Sequence, residues 1–187
     1  MSFSGPAGPR VPRRRAIRVA LAGGFLAATA SALGIAGAFL RPRPPREFGA
    51  SVDAGHVRDF PRGAGPTHDA EFRFWLANLD PSDADQNGTG GGAGLLACYD
   101  KCPHLGEVVD WRPEFEFNGA HGWYRCRKHG ATYTRAGVRV FGPAPRSLDT
   151  MRVTVDQFGA ITVHTGDIAR GDTDNPKRAV QHPLLPS

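Results

Sequence analysis

The sequence predicts an all-β head behind one N-terminal membrane-spanning helix. Three observations carry that expectation. Residues 19–40 form a run of 22 without a charge, short apolar-alternating segments divided by Gly, Pro and Asp follow, and no helical period is sustained after residue 46. A chain of 187 residues has room for one ordinary domain and some extra.

Residues 1–18 are polar and rich in Gly, Pro and Arg, which predicts a disordered basic N-terminus. The run 19–40 carries only Thr29 and Ser31 as hydroxyls. About 20 apolar residues cross a hydrocarbon core of roughly 30 Å, so this run is expected to be a transmembrane helix. It is longer than the apolar stretch of a cleaved signal, about 7–15 residues. Arg13, Arg14, Arg15 and Arg18 precede it, and Arg41, Arg43 and Arg46 follow. The positive-inside rule then favours a single-pass protein of the cell membrane, with its N-terminus cytoplasmic and its head extracytoplasmic. Arg13-Arg14-Arg15-Ala16-Ile17 also loosely matches a twin-arginine export signal, although plain flanking charge explains it equally. Pro42, Pro44 and Pro45 cannot continue a helix and predict an extended hinge over 41–50.

The head is expected over 51–166. Segment 71–79 alternates around Phe72, Phe74 and Leu76, and 95–99 is a buried apolar run. Strands at 123–126, 138–141, 151–155 and 160–164 follow, the last two forming a hairpin through Asp156-Gln157-Phe158-Gly159. The glycine-rich stretch 82–94 reads as a surface insertion, and 167–187, with Pro176, Pro183 and Pro186, as a surface-draped or loose tail. Phe72, Phe74 and Trp75 suit a core, Cys98 a buried structural position, and His56, His68, His164 and His182 the surface.

Charge excludes one class of function. Residues 1–46 hold eight arginines and neither lysine nor acid, whereas 47–187 carry a net −3. A nucleic-acid-binding domain needs a basic face on its folded part, so no nucleic acid is expected as a partner. Three cysteines are too few for a disulfide framework. Neither a nucleophile elbow nor a phosphate-binding glycine loop is present.

The chemistry is concentrated in Cys102-Pro103-His104-Leu105-Gly106 and Cys126-Arg127-Lys128-His129-Gly130, with 21 residues between His104 and Cys126. Each half offers one cysteine and one histidine, and short spacing lets two loop tips serve one small centre. Zinc accepts two-Cys/two-His sites, usually with the cysteines in one half and the histidines in the other. A Rieske 2Fe-2S centre puts two cysteines on one iron and two histidines on the other. The alternation by itself suits both.

With these motifs the sequence resembles the Rieske iron–sulfur subunit of bacterial cytochrome bc-type quinol oxidoreductases, over about residues 95–165. The resemblance implies a Rieske-type antiparallel β sandwich with a small cluster-binding subdomain at about 98–147. It implies one 2Fe-2S cluster on Cys102, His104, Cys126 and His129, shielded by Leu105. Gly142-Pro143-Ala144-Pro145 matches the family's Pro loop, and Tyr133 the tyrosine that bonds a cysteine sulfur. It also implies a subunit, not catalytic alone, that sits with a cytochrome b-type subunit. Quinol would dock on His104 and His129, with menaquinol favoured by the lower potential that Ala131 predicts, and the electron would pass to a c-type cytochrome or plastocyanin-like carrier. The alternatives are a subunit of another oxidase or oxygenase system, or a membrane-tethered structural zinc module.

This sequence departs from the family at three places. Glu107 and Lys128 stand where the relatives have a disulfide between the two loops, and either a salt bridge or two solvent-facing side chains would fit. Ala131 stands where relatives have a serine that donates to a bridging sulfur, which predicts a lower potential unless Thr132 donates instead. The insert with Trp111, Phe115, Phe117, His121 and Trp123 is long and suggests a subdomain edge, with His121 an unlikely-spaced alternative ligand.

Overall fold

The computed structural model describes residues 12–40, 49–81 and 92–185. The first eleven residues, nearly all of the Pro-rich hinge, most of the glycine-rich insertion and the last two residues of the tail lie outside these. The chain divides into two units, 1–46 and 47–187.

The first unit is helix α1, Arg13–Leu40. Its 28 residues, at 1.5 Å each, make about 42 Å. It begins where the Pro12 carbonyl accepts from the amides of Arg15 (2.8 Å) and Ala16 (3.2 Å). Proline suits a helix start because it has no amide to leave orphaned. Residues 13–18, expected to be disordered, are therefore helical: arginine is a good helix former and extends the apolar helix toward its N-terminus. The Thr29 hydroxyl donates to the carbonyls of Phe25 (2.9 Å) and Leu26 (3.0 Å), and that of Ser31 to Ala27 (2.9 Å). Both hydroxyls are thus satisfied within the helix. Arg13–Gly37 is long and apolar enough to cross a membrane.

The second unit is antiparallel β. A six-stranded sheet runs β1 (Ser51–His56), β10 (Ala160–Ala169), β9 (Thr150–Val155), β4 (Gly94–Tyr99), β3 (Phe74–Leu79), β2 (Thr67–Asp69). A four-stranded sheet runs β5 (Val109–Phe117), β6 (Ala120–Cys126), β7 (Thr132–Tyr133), β8 (Arg139–Phe141). Strands β3 and β4 are apolar on both faces because they serve two cores. Phe74, Leu76, Leu95 and Ala97 pack with Val52, Met151, Val153, Ile161 and Val163. Their sequence neighbours Ala77, Leu79, Leu96 and Cys98 pack with Val109, Tyr124, Tyr133 and Val138 of the other sheet. The two-residue period of a strand is what sends successive side chains to opposite cores.

Some elements differ from the expectation. Strand β3 starts at Phe74, because Arg73 takes a left-handed φ of +66° and turns the chain before it. Strand β5 was hidden by Arg112, Pro113 and Glu114, which a register shift between Arg112 and Glu116 accommodates. The expected hairpin of β9 and β10 is present, and β10 continues to Ala169 through a second shift after His164. The tail is held down: Asn175 is fully buried, its amide donates to the Leu148 carbonyl (2.8 Å), and Val180 exchanges two backbone hydrogen bonds with Leu95 (2.8 and 2.9 Å).

Candidate metal centre

Two loops come together at one end of the four-stranded sheet. The first follows β4 and carries Cys102, His104 and Leu105; the second joins β6 to β7 and carries Cys126 and His129. Each is closed by its own backbone. The Gly106 amide donates to the Cys102 carbonyl (2.9 Å), and the Gly130 amide to that of Cys126 (3.2 Å). Both glycines have positive φ, +75° and +68°, the turn that residues with a Cβ resist. Between the loops, the Arg127 amide reaches the Val108 carbonyl (3.4 Å).

The four candidate ligands divide into a sulfur pair and a nitrogen pair. Cys102 and Cys126 are buried, unoxidised and in contact with one another. The imidazoles of His104 and His129 face each other edge-on, with centroids 4.8 Å apart. Leu105, next to His104 in the chain, is 72% exposed. Burial pushes the Cys102 thiol up, against the Tyr133 hydroxyl 3.0 Å from its sulfur and the His104 amide, which both favour the thiolate. Tyr133 itself is fully buried, and desolvation raises its hydroxyl pKa strongly, so it stays a donor.

The donor set fits an iron–sulfur group. His104 Nδ1 is buried without a hydrogen-bond partner. A buried ring nitrogen costs free energy when orphaned, and a metal bond would satisfy it. A pair of thiols and a pair of imidazoles, brought together on two loops, is a donor set that suits a two-iron group.

The Pro loop runs against the second ligand loop. Gly142 crosses so close to Ala131 that a Cβ on it would stand 2.5 Å from the Ala131 Cα, and Ala144 is buried in the core below. Pro143 and Pro145 are exposed on its outer surface. The Arg139 guanidinium donates to the Gly142 carbonyl (2.8 Å), and Arg146 grips Asp149 with two bonds (2.6 and 3.0 Å).

The residues at the departures from the family have definite positions. Lys128 Nζ lies 2.7 Å from Glu107 Oε2, so these two side chains join the loops by an ion pair. Ala131 is fully buried, and the Thr132 hydroxyl donates to the Gly130 carbonyl (3.0 Å), away from a compensating role. His121 pairs with exposed Glu116 at 3.8 Å and is not brought to the centre. Cys98 is buried, with its thiol pushed up to about 12 by desolvation, as a structural cysteine should be.

One group lay beyond sequence reasoning. Asp100, two residues before Cys102 and 1% exposed, meets Arg73 (3.0 Å) on one oxygen and His68 (3.2 Å) on the other. His68 is thus not a plain surface residue: it stacks on Trp75 at 4.1 Å, whose indole donates to the Val109 carbonyl. Nothing in the spacing of 27 and 32 residues links these side chains; only the register of β2 and β3 does.

No family model matches the chain. Curated proteins do. The chain is 30% identical over 165 residues to a cytochrome b6-f complex iron-sulfur subunit from the cyanelle of Cyanophora paradoxa, covering 82% of this chain and 63% of that protein. It is 40% identical over 93 residues to the cytochrome b6-f complex iron-sulfur subunit of Synechococcus sp. (strain JA-3-3Ab), covering 48% of this chain and 49% of that one. The chain therefore spans less than two thirds of the length of the curated relatives it matches. Among solved structures, the soluble domain of Rieske protein II from Sulfolobus acidocaldarius aligns with 75% of this chain and 73% of its own, at 21% identity and a TM-score of 0.32.

Proposed function

This chain is a relative of the Rieske iron–sulfur subunits, and from that premise we propose that it carries one electron at a time for a membrane quinol-oxidising complex. The observation that carries the proposal is the two-plus-two convergence: buried thiols of Cys102 and Cys126 inside, imidazoles of His104 and His129 outside, beside an exposed Leu105. These four residues would hold a 2Fe-2S cluster, which supplies a one-electron acceptor whose histidine-ligated iron raises its potential above that of all-cysteine relatives.

The chain's residues do the rest. Tyr133 directs its hydroxyl at Cys102 and stabilises the sulfur's negative charge. Leu105 and the Pro loop exclude water from the flanks. The outer nitrogen of His104 or His129 accepts the hydroxyl proton of a quinol docked against the tip, so proton and electron leave together. Menaquinol is favoured, because Ala131 supplies no hydroxyl donor and the potential is correspondingly lower. The electron then goes to a c-type cytochrome or similar carrier, in a complex with a cytochrome b-type subunit. Helix α1 anchors the chain by a single pass, N-terminus cytoplasmic, head extracytoplasmic, with the Pro-rich hinge setting the head's reach.

EPR of the dithionite-reduced protein, followed by a redox titration of the same signal, tests this. The expected result is a rhombic signal of low average g, with a midpoint that falls as pH rises because reduction is accompanied by proton uptake. A colourless, EPR-silent protein holding stoichiometric zinc would overturn the reading.

A further inference from the structure

A groove of about 710 Å³ opens beside the second ligand loop, lined on that side by Cys126, Arg127, Lys128 and Gly130. Its walls include Arg112, Arg125, Arg127, Lys128, Trp111 and Phe115. Residues 47–187 carry a net −3 with only 15 basic side chains, yet four of these line this one groove. The concentration is local and runs against the sign of the head.

The charges in the groove are incompletely compensated. Arg127 takes both oxygens of Asp110 (2.7 and 2.8 Å), and Arg112 shares the second oxygen at 3.1 Å, so two guanidiniums divide one carboxylate. Lys128 is paired with Glu107. Glu114 adds one acid to the lining. Arg125 has no carboxylate partner among the described residues; its guanidinium lies 4.0 Å over the Phe115 ring. That stacking holds the fork in place and leaves its donors for an incoming group. Arginine and aromatic side chains together are the composition of an interface centre, not of an ordinary solvated face.

Resting on the electron-transfer reading above, we propose that this groove receives an acidic segment of the protein that takes the electron. An encounter between redox proteins is brief and small in area, so steering by opposite charge governs its rate. The groove's floor is the loop that carries Cys126 and His129, so a carboxylate-rich surface seated there lies against the metal centre's flank.

The test uses the full chain with its cluster in nanodiscs of neutral lipid. The reduced protein is oxidised by hexacyanoferrate(III), an anion, and by tris(phenanthroline)cobalt(III), a cation, from low to high ionic strength. The anion's rate is expected to fall as salt rises, and to fall several-fold at low salt in the variant Arg112→Gln/Arg125→Gln. The cation's rate does not fall in that variant, and the cluster's EPR signal is retained. A hexaglutamate peptide should slow the anion's reaction with the wild-type chain and not with the variant. An unaltered anion rate in the variant, or equal slowing of both oxidants, would overturn the docking groove while leaving the electron-transfer reading intact. A colourless protein without a cluster would overturn both, at the first step.

Discussion

Tyr133 shows how much one buried hydroxyl can set. It stands 3.0 Å from the Cys102 sulfur, and the tyrosine is fully buried. Tyr133→Phe keeps the ring's packing and removes the donor. A single hydrogen bond contributes about 0.5–1.5 kcal/mol, which for a one-electron couple is roughly 20–65 mV. The midpoint is expected to fall by that amount with the EPR signal retained, and a redox titration of the variant checks it. Asp100 is the other decisive residue. Its two oxygens are divided between Arg73 and His68, and its backbone continues into the first ligand loop. Asp100→Asn removes the charge that faces the Arg73 guanidinium and turns one accepting oxygen into a donor, a loss of about 1–3 kcal/mol. Urea unfolding should show that destabilisation, together with faster loss of the cluster.

Among the elements, the two ligand loops matter most, and they are joined by polar contacts. Lys128 first, and after it the amide of Val108, pull the Glu107 carboxyl below its usual range, and Glu107 raises Lys128 in return. The sign follows from both shifts. Glu107, depressed in the folded state, contributes stability above the usual carboxylate range and loses it as pH falls through its lowered pKa. Lys128, raised, contributes below the usual lysine range and loses it as pH rises through its raised pKa. The gap in melting temperature between the wild type and Glu107→Gln should therefore be widest near neutral pH and close toward acid. It should also shrink with added salt, since the pair is exposed to solvent. A gap independent of pH and salt would show that the pair does not staple the loops. Because no thiol is involved, the linkage is indifferent to reductant.

At the scale of the whole molecule, α1 and the head are separate units with their own contacts. The residues that form the head's two cores all lie after residue 50. A chain beginning at Glu47 is therefore expected to fold and to take up the same metal content per head as the full chain. Metal analysis and circular dichroism of that fragment check this; a fragment that fails to fold would show that the anchor supports the head.

The helix, the β class and the two cysteine–histidine motifs were legible in the sequence, because each rests on neighbours a few residues apart. Charge-free length marks the span, two-residue alternation marks the strands, and loop spacing marks donors that can share a centre. Strand β5 was not legible, since Pro113 and the charges around it break the pattern that the bulge restores in space. The start of α1 was also missed, because Arg13 to Arg18 read as polar chain until the helix incorporates them. Tertiary structure alone decided that Glu107 meets Lys128, that Tyr133 meets Cys102 across 31 residues, and that Asp100 is shared by Arg73 and His68. It also decided that four cations gather in one groove on an acidic head. Spacing along the chain governs what a single turn or loop can present. Contacts between elements depend on strand register and sheet packing, which no local pattern encodes.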